Sequence, residues 1–198
     1  MKKQYLKAIV ILHGKSELQI FKFIKSNLRL KIEQVSEKNG EKSIQIASLM
    51  NVLNNTKFKN QKMFLKNYED VEWNFNEKCI TDSFKIFIIM DTDDCATEDQ
   101  RENYINKKMF ESHWAYNHII PIFNTPELET ILMKAKIPFT KKGEKRKAEY
   151  VKIFPTDDKY IQQNRDYLQL EDVMKKLKKN KDTNLDEFIE FCLNLVNK

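Results

Sequence analysis

Punctuation is what this sequence has least of. Its 198 residues hold three glycines and four prolines, too few for a chain of short strands and tight turns, so helices should carry much of the fold. Cysteine is scarce as well. Cys79, Cys95 and Cys192 are odd in number, widely spaced and without a CxxC pair, which argues against a disulfide framework and a structural zinc site. No window approaches the ~20 consecutive apolar residues of a membrane span. The basic start Met1-Lys2-Lys3 leads into an apolar run, Ala8 to Leu12, too short for a secretory signal and without a small-residue cleavage site. These absences point to a cytoplasmic protein with no membrane partner, built as one domain or one domain with an appendage.

Apolar residues make up 41% of the chain, so a core can form without metal or disulfide staples. The formal net charge is +6. Arginine contributes little to it, since Arg29, Arg101, Arg146 and Arg165 are the only four. A positive sum favours a polyanion such as DNA or RNA, and a Lys- and Asn-rich composition arising from AT-rich coding accounts for it equally well.

Ile9-Val10-Ile11-Leu12 is an unbroken apolar, β-rich run, the habit of a strand buried on both faces of a parallel sheet. Gly14 permits a turn, and Ser16 with Gln19 reads as a capping box opening a helix to about Leu28. Leu30 to Val35 alternates, as a strand nearer an edge does. Asn39-Gly40 turns the chain, and Ile44, Ile46, Leu49, Met50 and Leu53 suggest a second helix. Residues 57 to 78 have no readable pattern. Phe84 to Met90 is a further strand, followed by a polar helix from about Thr97 to Glu111, and His118 to Phe123 is another strand. Thr125-Pro126-Glu127 carries a Thr cap, Pro at the first helical position and early acids. Strands alternating with helices predict an α/β fold with a mostly parallel sheet over residues 1–135. Beyond Lys134 the strands should stop, leaving a helical, basic extension over 136–198 that ends in an amphipathic helix from Leu185 to Val196.

Acidic residues stand directly after the apolar strands, where sites lie in open α/β sheets. His13 and Glu17 follow the first, Asp91, Asp93 and Asp94 the middle one, Glu127 and Glu129 the last. Asp91-Thr92-Asp93 sets two carboxylates on one side of an extended segment. Oxygen donors of this kind suit Mg²⁺ or Mn²⁺, which serve phosphoryl chemistry. Each acid alone also has a structural explanation, as a turn former or a first-turn residue favoured by the helix dipole. Two other motifs fail. Gly14-Lys15-Ser16 lacks the glycine a phosphate-binding loop needs five residues earlier, where Ile9 stands. In the phosphatase-like Asp91-Thr92-Asp93, Cys95 stands where Thr or Val is expected. His113 and His118 have no ligand partners in register and read as surface or core histidines.

Ile9-Val10-Ile11-Leu12-His13-Gly14-Lys15-Ser16-Glu17 resembles the first motif of TOPRIM domains in their nuclease form, an apolar strand followed by EGxTE or EGxSE. Phe87-Ile88-Ile89-Met90-Asp91-Thr92-Asp93-Asp94 resembles the second, an apolar strand ending in DxD. Asn124-Thr125-Pro126-Glu127-Leu128-Glu129-Thr130-Ile131-Leu132 is similar to the SNPxFExWLL segment of RloB-like proteins and to the corresponding stretch of OLD-family nucleases. The resemblance covers roughly residues 5 to 135. It implies a TOPRIM-like fold and Mg²⁺- or Mn²⁺-dependent cleavage of phosphodiester bonds, with Asp91, Asp93 and Glu17 as metal ligands and Glu129 completing the cluster. It also implies a setting in bacterial phage defence. The chain departs from the family at His13, which replaces the first Glu. An imidazole can act as acid or base, but it lowers the negative charge of the site.

Lys15 and a cluster after the last motif, including Lys141, Lys142, Lys145, Arg146 and Lys147, are candidates for phosphate neutralisation. Tyr150, Phe154, Tyr160 and Tyr167 are better explained as packing residues than as base-stacking platforms. Two functions follow from this sequence: a metal-dependent nuclease, or a catalytically silent scaffold that binds a protein partner or a second copy of itself.

Overall fold

The computed structural model describes residues 4–142, 150–153 and 166–196. Its centre is a four-stranded, wholly parallel sheet of β1 (Ala8–Leu12), β2 (Ile32–Val35), β5 (Lys85–Asp91) and β6 (Ile119–Asn124), in the order β2-β1-β5-β6. Every residue of β1 is buried, as is every residue of β5 after Lys85, the reason these segments read as continuous apolar runs. The alternating pleat divides them between two cores. Ala8, Val10, Leu12, Phe87, Ile89 and Ile122 face one layer of helices; Ile9, Ile11, Ile86, Ile88, Met90 and Ile119 face the other.

The first face is covered by α1 (Lys15–Asn27), α5 (Leu128–Lys134), α6 (Asp166–Leu177) and α7 (Leu185–Val196). The second is covered by α2 (Leu49–Leu53), α3 (Gln61–Asn67) and α4 (Glu98–Ile105), with short 3-10 turns before α2 and after α4. The hydroxyl of Tyr104, on α4, lies 2.7 Å from the Ile88 carbonyl and 2.9 Å from that of Ile122, tying α4 to β5 and β6. Residues 57 to 78, unreadable in the sequence, contain α3, capped by Asn60, whose side chain accepts from the Met63 N–H. After α3 comes a small antiparallel hairpin, β3 (Trp73–Asn74) and β4 (Cys79–Ile80).

Three expectations change. The helix after β1 starts at Lys15 with Gly14 as its cap, because the side chain at the third helical position, Glu17, accepts the Gly14 N–H. Pro126 does not open a helix: Thr125-Pro126 is cis, Glu127 is the cap and α5 begins at Leu128. The Pro126 carbonyl is held outside the helix by the N–H groups of Thr92 and Asp93. Strands also continue past Lys134, in an antiparallel pair of β7 (Thr140–Lys142) with β8 (Tyr150–Lys152). Thr140, Tyr150 and Val151 are residues that suit a pleated surface.

The C-terminal helices are part of the core. Phe188 on α7 is fully buried, its ring 5.1 Å from that of Phe87 in β5. Just before α7, Thr183 pairs with Asn124 across an antiparallel bridge at the end of β6. Phe188→Ala should therefore lower stability by roughly 3–5 kcal/mol. Urea unfolding should remain a single transition, and separate loss of α7 ahead of the sheet would contradict the shared core.

Candidate functional site

The strand order reverses direction between β1 and β5: β2 lies outside β1 on one side, and β5 and β6 follow on the other. The crevice outside the carboxyl ends of such neighbouring strands is the usual ligand position in open α/β sheets. Both strands end there in polar residues, His13 after Leu12 and Asp91 as the last residue of β5.

Asp91 is buried, and its Oδ1 accepts two hydrogen bonds, from Asn124 Nδ2 at 3.0 Å and from the Leu128 N–H at 3.1 Å. The second of these makes the carboxylate a cap for α5. Asn124 is itself fixed: its Oδ1 accepts from Thr183 Oγ1 at 2.9 Å, so its amide nitrogen must face Asp91. Burial pushes the Asp91 carboxyl well above its ordinary range, and the charge of Glu17 adds to this; His13 and the Asn124 bond act the other way.

Glu17 sits in the first turn of α1 and is 3% exposed. Its Oε2 accepts the Gly14 N–H at 2.9 Å, so one residue is both a helix cap and a buried acid. Burial raises its pKa to about 7, with its own and the Gly14 backbone N–H groups opposing and the charges of Glu129 and Asp93 adding to the rise. Gly40, with φ of +80°, closes the turn behind this helix start. A Cβ there would lie 3.0 Å from the Lys15 Cα, so the Asn39-Gly40 turn is a constraint as well as a connection.

His13 is half-buried. Its Nδ1 lies 3.0 Å from the Ile44 carbonyl, and a carbonyl only accepts, so Nδ1 carries the hydrogen and Nε2 is the basic nitrogen. Its main chain joins β5 through the Ile89 carbonyl and the following loop through the Ile44 N–H. Asp94 lies near it: Oδ2 accepts the Ile46 N–H at 3.2 Å, while Oδ1 is buried with no partner. Burial raises the Asp94 carboxyl, and the neighbouring His13 lowers it.

Glu17, Asp91, Asp93, Glu129 and His13 are thus brought close enough for their charges to act on one another. Asp93 is exposed on the turn after β5 and Glu129 is half-buried in the first turn of α5. Among the described residues, no three His, Cys, Asp or Glu side chains already stand at metal-ligand spacing. No family model, curated protein or solved structure matches the chain. The site therefore stands on its own geometry.

Of the basic candidates, the described residues include only some. Lys15 opens α1, half-buried, beside the site. Lys141 and Lys142 belong to β7, and Lys145, Arg146 and Lys147, like Phe154 and Tyr160, lie outside the described residues. His113 is buried and His118 half-buried against the second core, bonded to the carbonyls of Leu53 and Phe84, which is the core alternative of the two the sequence left open. The sequence places Asp94 among the candidate acids but gives no role to Asn124 or Thr183. Asn124 stood inside a recognised motif, but nothing in the sequence announces a threonine 59 residues further on.

The sign of the Glu17 shift fixes its pH dependence. A carboxyl whose pKa is higher folded than unfolded holds its proton more tightly in the folded chain. Its contribution is therefore fully present at acid pH and is lost as pH rises from about 4.5 to about 7. Glu17→Gln keeps an oxygen for the Gly14 N–H and removes the titration. Compared with wild type it should gain on the order of 3 kcal/mol between pH 4.5 and pH 8, measured by urea unfolding across that range. Parallel stability profiles would contradict the buried acid.

Proposed function

We propose that this chain is a divalent-cation-dependent nuclease of the TOPRIM type, hydrolysing phosphodiester bonds in DNA or RNA. The observation that carries the reading is the burial of two carboxyls, Glu17 and Asp91, at the carboxyl end of neighbouring parallel strands, where burial pushes both up and the charge of Glu17 raises Asp91 further. Buried like charges held against each other by fixed hydrogen bonds are costly unless a cation joins them. The donors are all hard oxygens, which fits Mg²⁺ or Mn²⁺. Glu17, Asp91 and Asp93 would hold the ion, with exposed Asp93 the side chain freest to adjust. When bound, the ion supplies charge neutralisation at the phosphoryl oxygens and polarises a water.

The chain's own groups do the rest. Hydrogen bonds from Asn124 and Leu128 hold one Asp91 oxygen in place, which leaves Oδ2 for a ligand. His13, oriented by the Ile44 carbonyl, offers Nε2 to take the proton of the attacking water. Glu129 adds charge that favours cation placement, and Lys15, with the lysines of the basic extension, neutralises neighbouring phosphates. Phage defence is the setting that the family resemblance implies for such an enzyme.

One observation favours a second reading, a silent scaffold that binds a partner: His13 stands where the family has its first Glu. Cleavage of labelled single- and double-stranded DNA and RNA in Mn²⁺ and Mg²⁺ separates the two. Wild type should cut, and Asp91→Ala should lose about 100-fold or more. Mn²⁺ at about 100 times its Kd should stabilise wild type by about 3 kcal/mol and leave Asp91→Asn unmoved. A wild type that neither cuts nor responds to Mn²⁺ would overturn the nuclease. Cleavage by His13→Glu alone would establish the silent scaffold.

A further inference from the structure

The opposite end of the sheet, where the strands begin, carries two features that the candidate site does not use. One is the β3–β4 hairpin. Phe75, at its tip, is 83% exposed, yet the turn that carries it is ordered. Asn74 Oδ1 accepts from the N–H groups of Asn76 and Glu77 at 3.0 and 3.2 Å, and Asn74 Nδ2 donates to Glu77 Oε2 at 2.9 Å. The hairpin's base is stitched to the start of β1 through the Leu6 N–H on the Asp70 carbonyl and the Lys7–Glu72 pair. A large aromatic ring held in water by a well-bonded turn is the form of an interface anchor. Its surroundings are acidic in a basic protein. Glu69, Glu77 and Asp82 have no cation paired with them among the described residues.

The second feature is a groove of about 640 Å³ along the end of α1 and the free edge of β2. Phe21 and Leu30 line it, with Lys22, Lys25 and Arg29 around them. No acid is paired with those three cations among the described residues. Groove and hairpin flank a single ion pair, Lys31 Nζ to Asp70 Oδ2 at 2.6 Å, so they share one end of the molecule. The exposure of Phe75 shows that the hairpin does not occupy its own chain's groove.

We propose that a second copy of this chain covers this end, the Phe75 hairpin of each copy seated in the Lys22–Lys25–Arg29 groove of the other. An aromatic projection flanked by Glu69 and Asp82, with Glu77 beside Lys78 at its tip, and a basic, apolar-lined groove are complementary in charge and chemistry. Because both lie at one end of the molecule, a single two-fold axis through that end brings each hairpin to the other copy's groove, which is the condition for a closed dimer. The contact leaves the carboxylate site at the other end of the sheet open, and it stands or falls independently of that site's chemistry.

Sedimentation velocity of the full chain tests this, run at low and high salt across micromolar concentrations. Wild type should dimerise, more weakly at high salt. Phe75→Ser and Arg29→Glu should each raise the dissociation constant about 10-fold or more, with thermal unfolding of the monomer unchanged. Mixing the two variants should restore a heterodimer, because one copy retains its groove and the other its hairpin. A monomeric wild type would overturn the proposal, and so would a dimer indifferent to Arg29→Glu, which would mean hairpin against hairpin. If Arg29→Glu instead weakens binding of a labelled oligonucleotide by a monomeric wild type, the groove belongs to a polyanion and the dimer is refuted.

Discussion

The Asp91 carboxylate is the constraint on which the rest of the site depends. It closes β5, caps α5 through the Leu128 N–H and fixes Asn124. Through Asn124 it reaches Thr183 and the start of α7. Buried carboxylates are tolerated only when bonded and compensated. Asp91 has the bonds, but its nearest strong electrostatic neighbours include another buried acid, Glu17. The protein thus spends hydrogen bonds on holding two acids together in a place where a neutral side chain would be more stable. Such an arrangement is characteristic of a functional site.

The fold explains why the acids meet. Parallel strands start at one end and finish at the other, so residues following β1 and β5 in sequence become neighbours in space once the strands pair. Helices α1 and α5 then begin at the same crevice, and each presents an acid in its first turn, Glu17 and Glu129. The C-terminal segment braces this end from the side. Thr125 donates its N–H to the Asp182 carbonyl, and Asn184 bonds to the main chain of Phe123 and Pro121. The helices after residue 165 therefore support β6 as well as covering the first core.

Much of the sheet was legible because its strands are buried on both faces. Ile9 to Leu12 and Phe87 to Met90 carry so much apolar character that no helical or alternating pattern competes with them. The candidate acids were legible for a related reason, since charge just after an apolar run stands out. What escaped depended on distant contacts. Whether Ser16 or Gly14 caps α1 turns on where Glu17 points, and the start of α5 turns on the Pro126 carbonyl being engaged by Thr92 and Asp93. Neither choice is written in local propensity. The β3–β4 and β7–β8 hairpins have two- and three-residue strands, too short for any period to emerge.

On the proposed reading, Glu17 and Asp91 form a buried pair of acids suited to a divalent cation. Carboxyl-carbon NMR of Glu17, titrated with pH in the absence and presence of Mg²⁺, tests it most directly. The account predicts titration near pH 7 without the ion and a shift to markedly lower pH with it, absent in Asp91→Asn. Titration near the ordinary value of 4.5, unmoved by Mg²⁺, would contradict it.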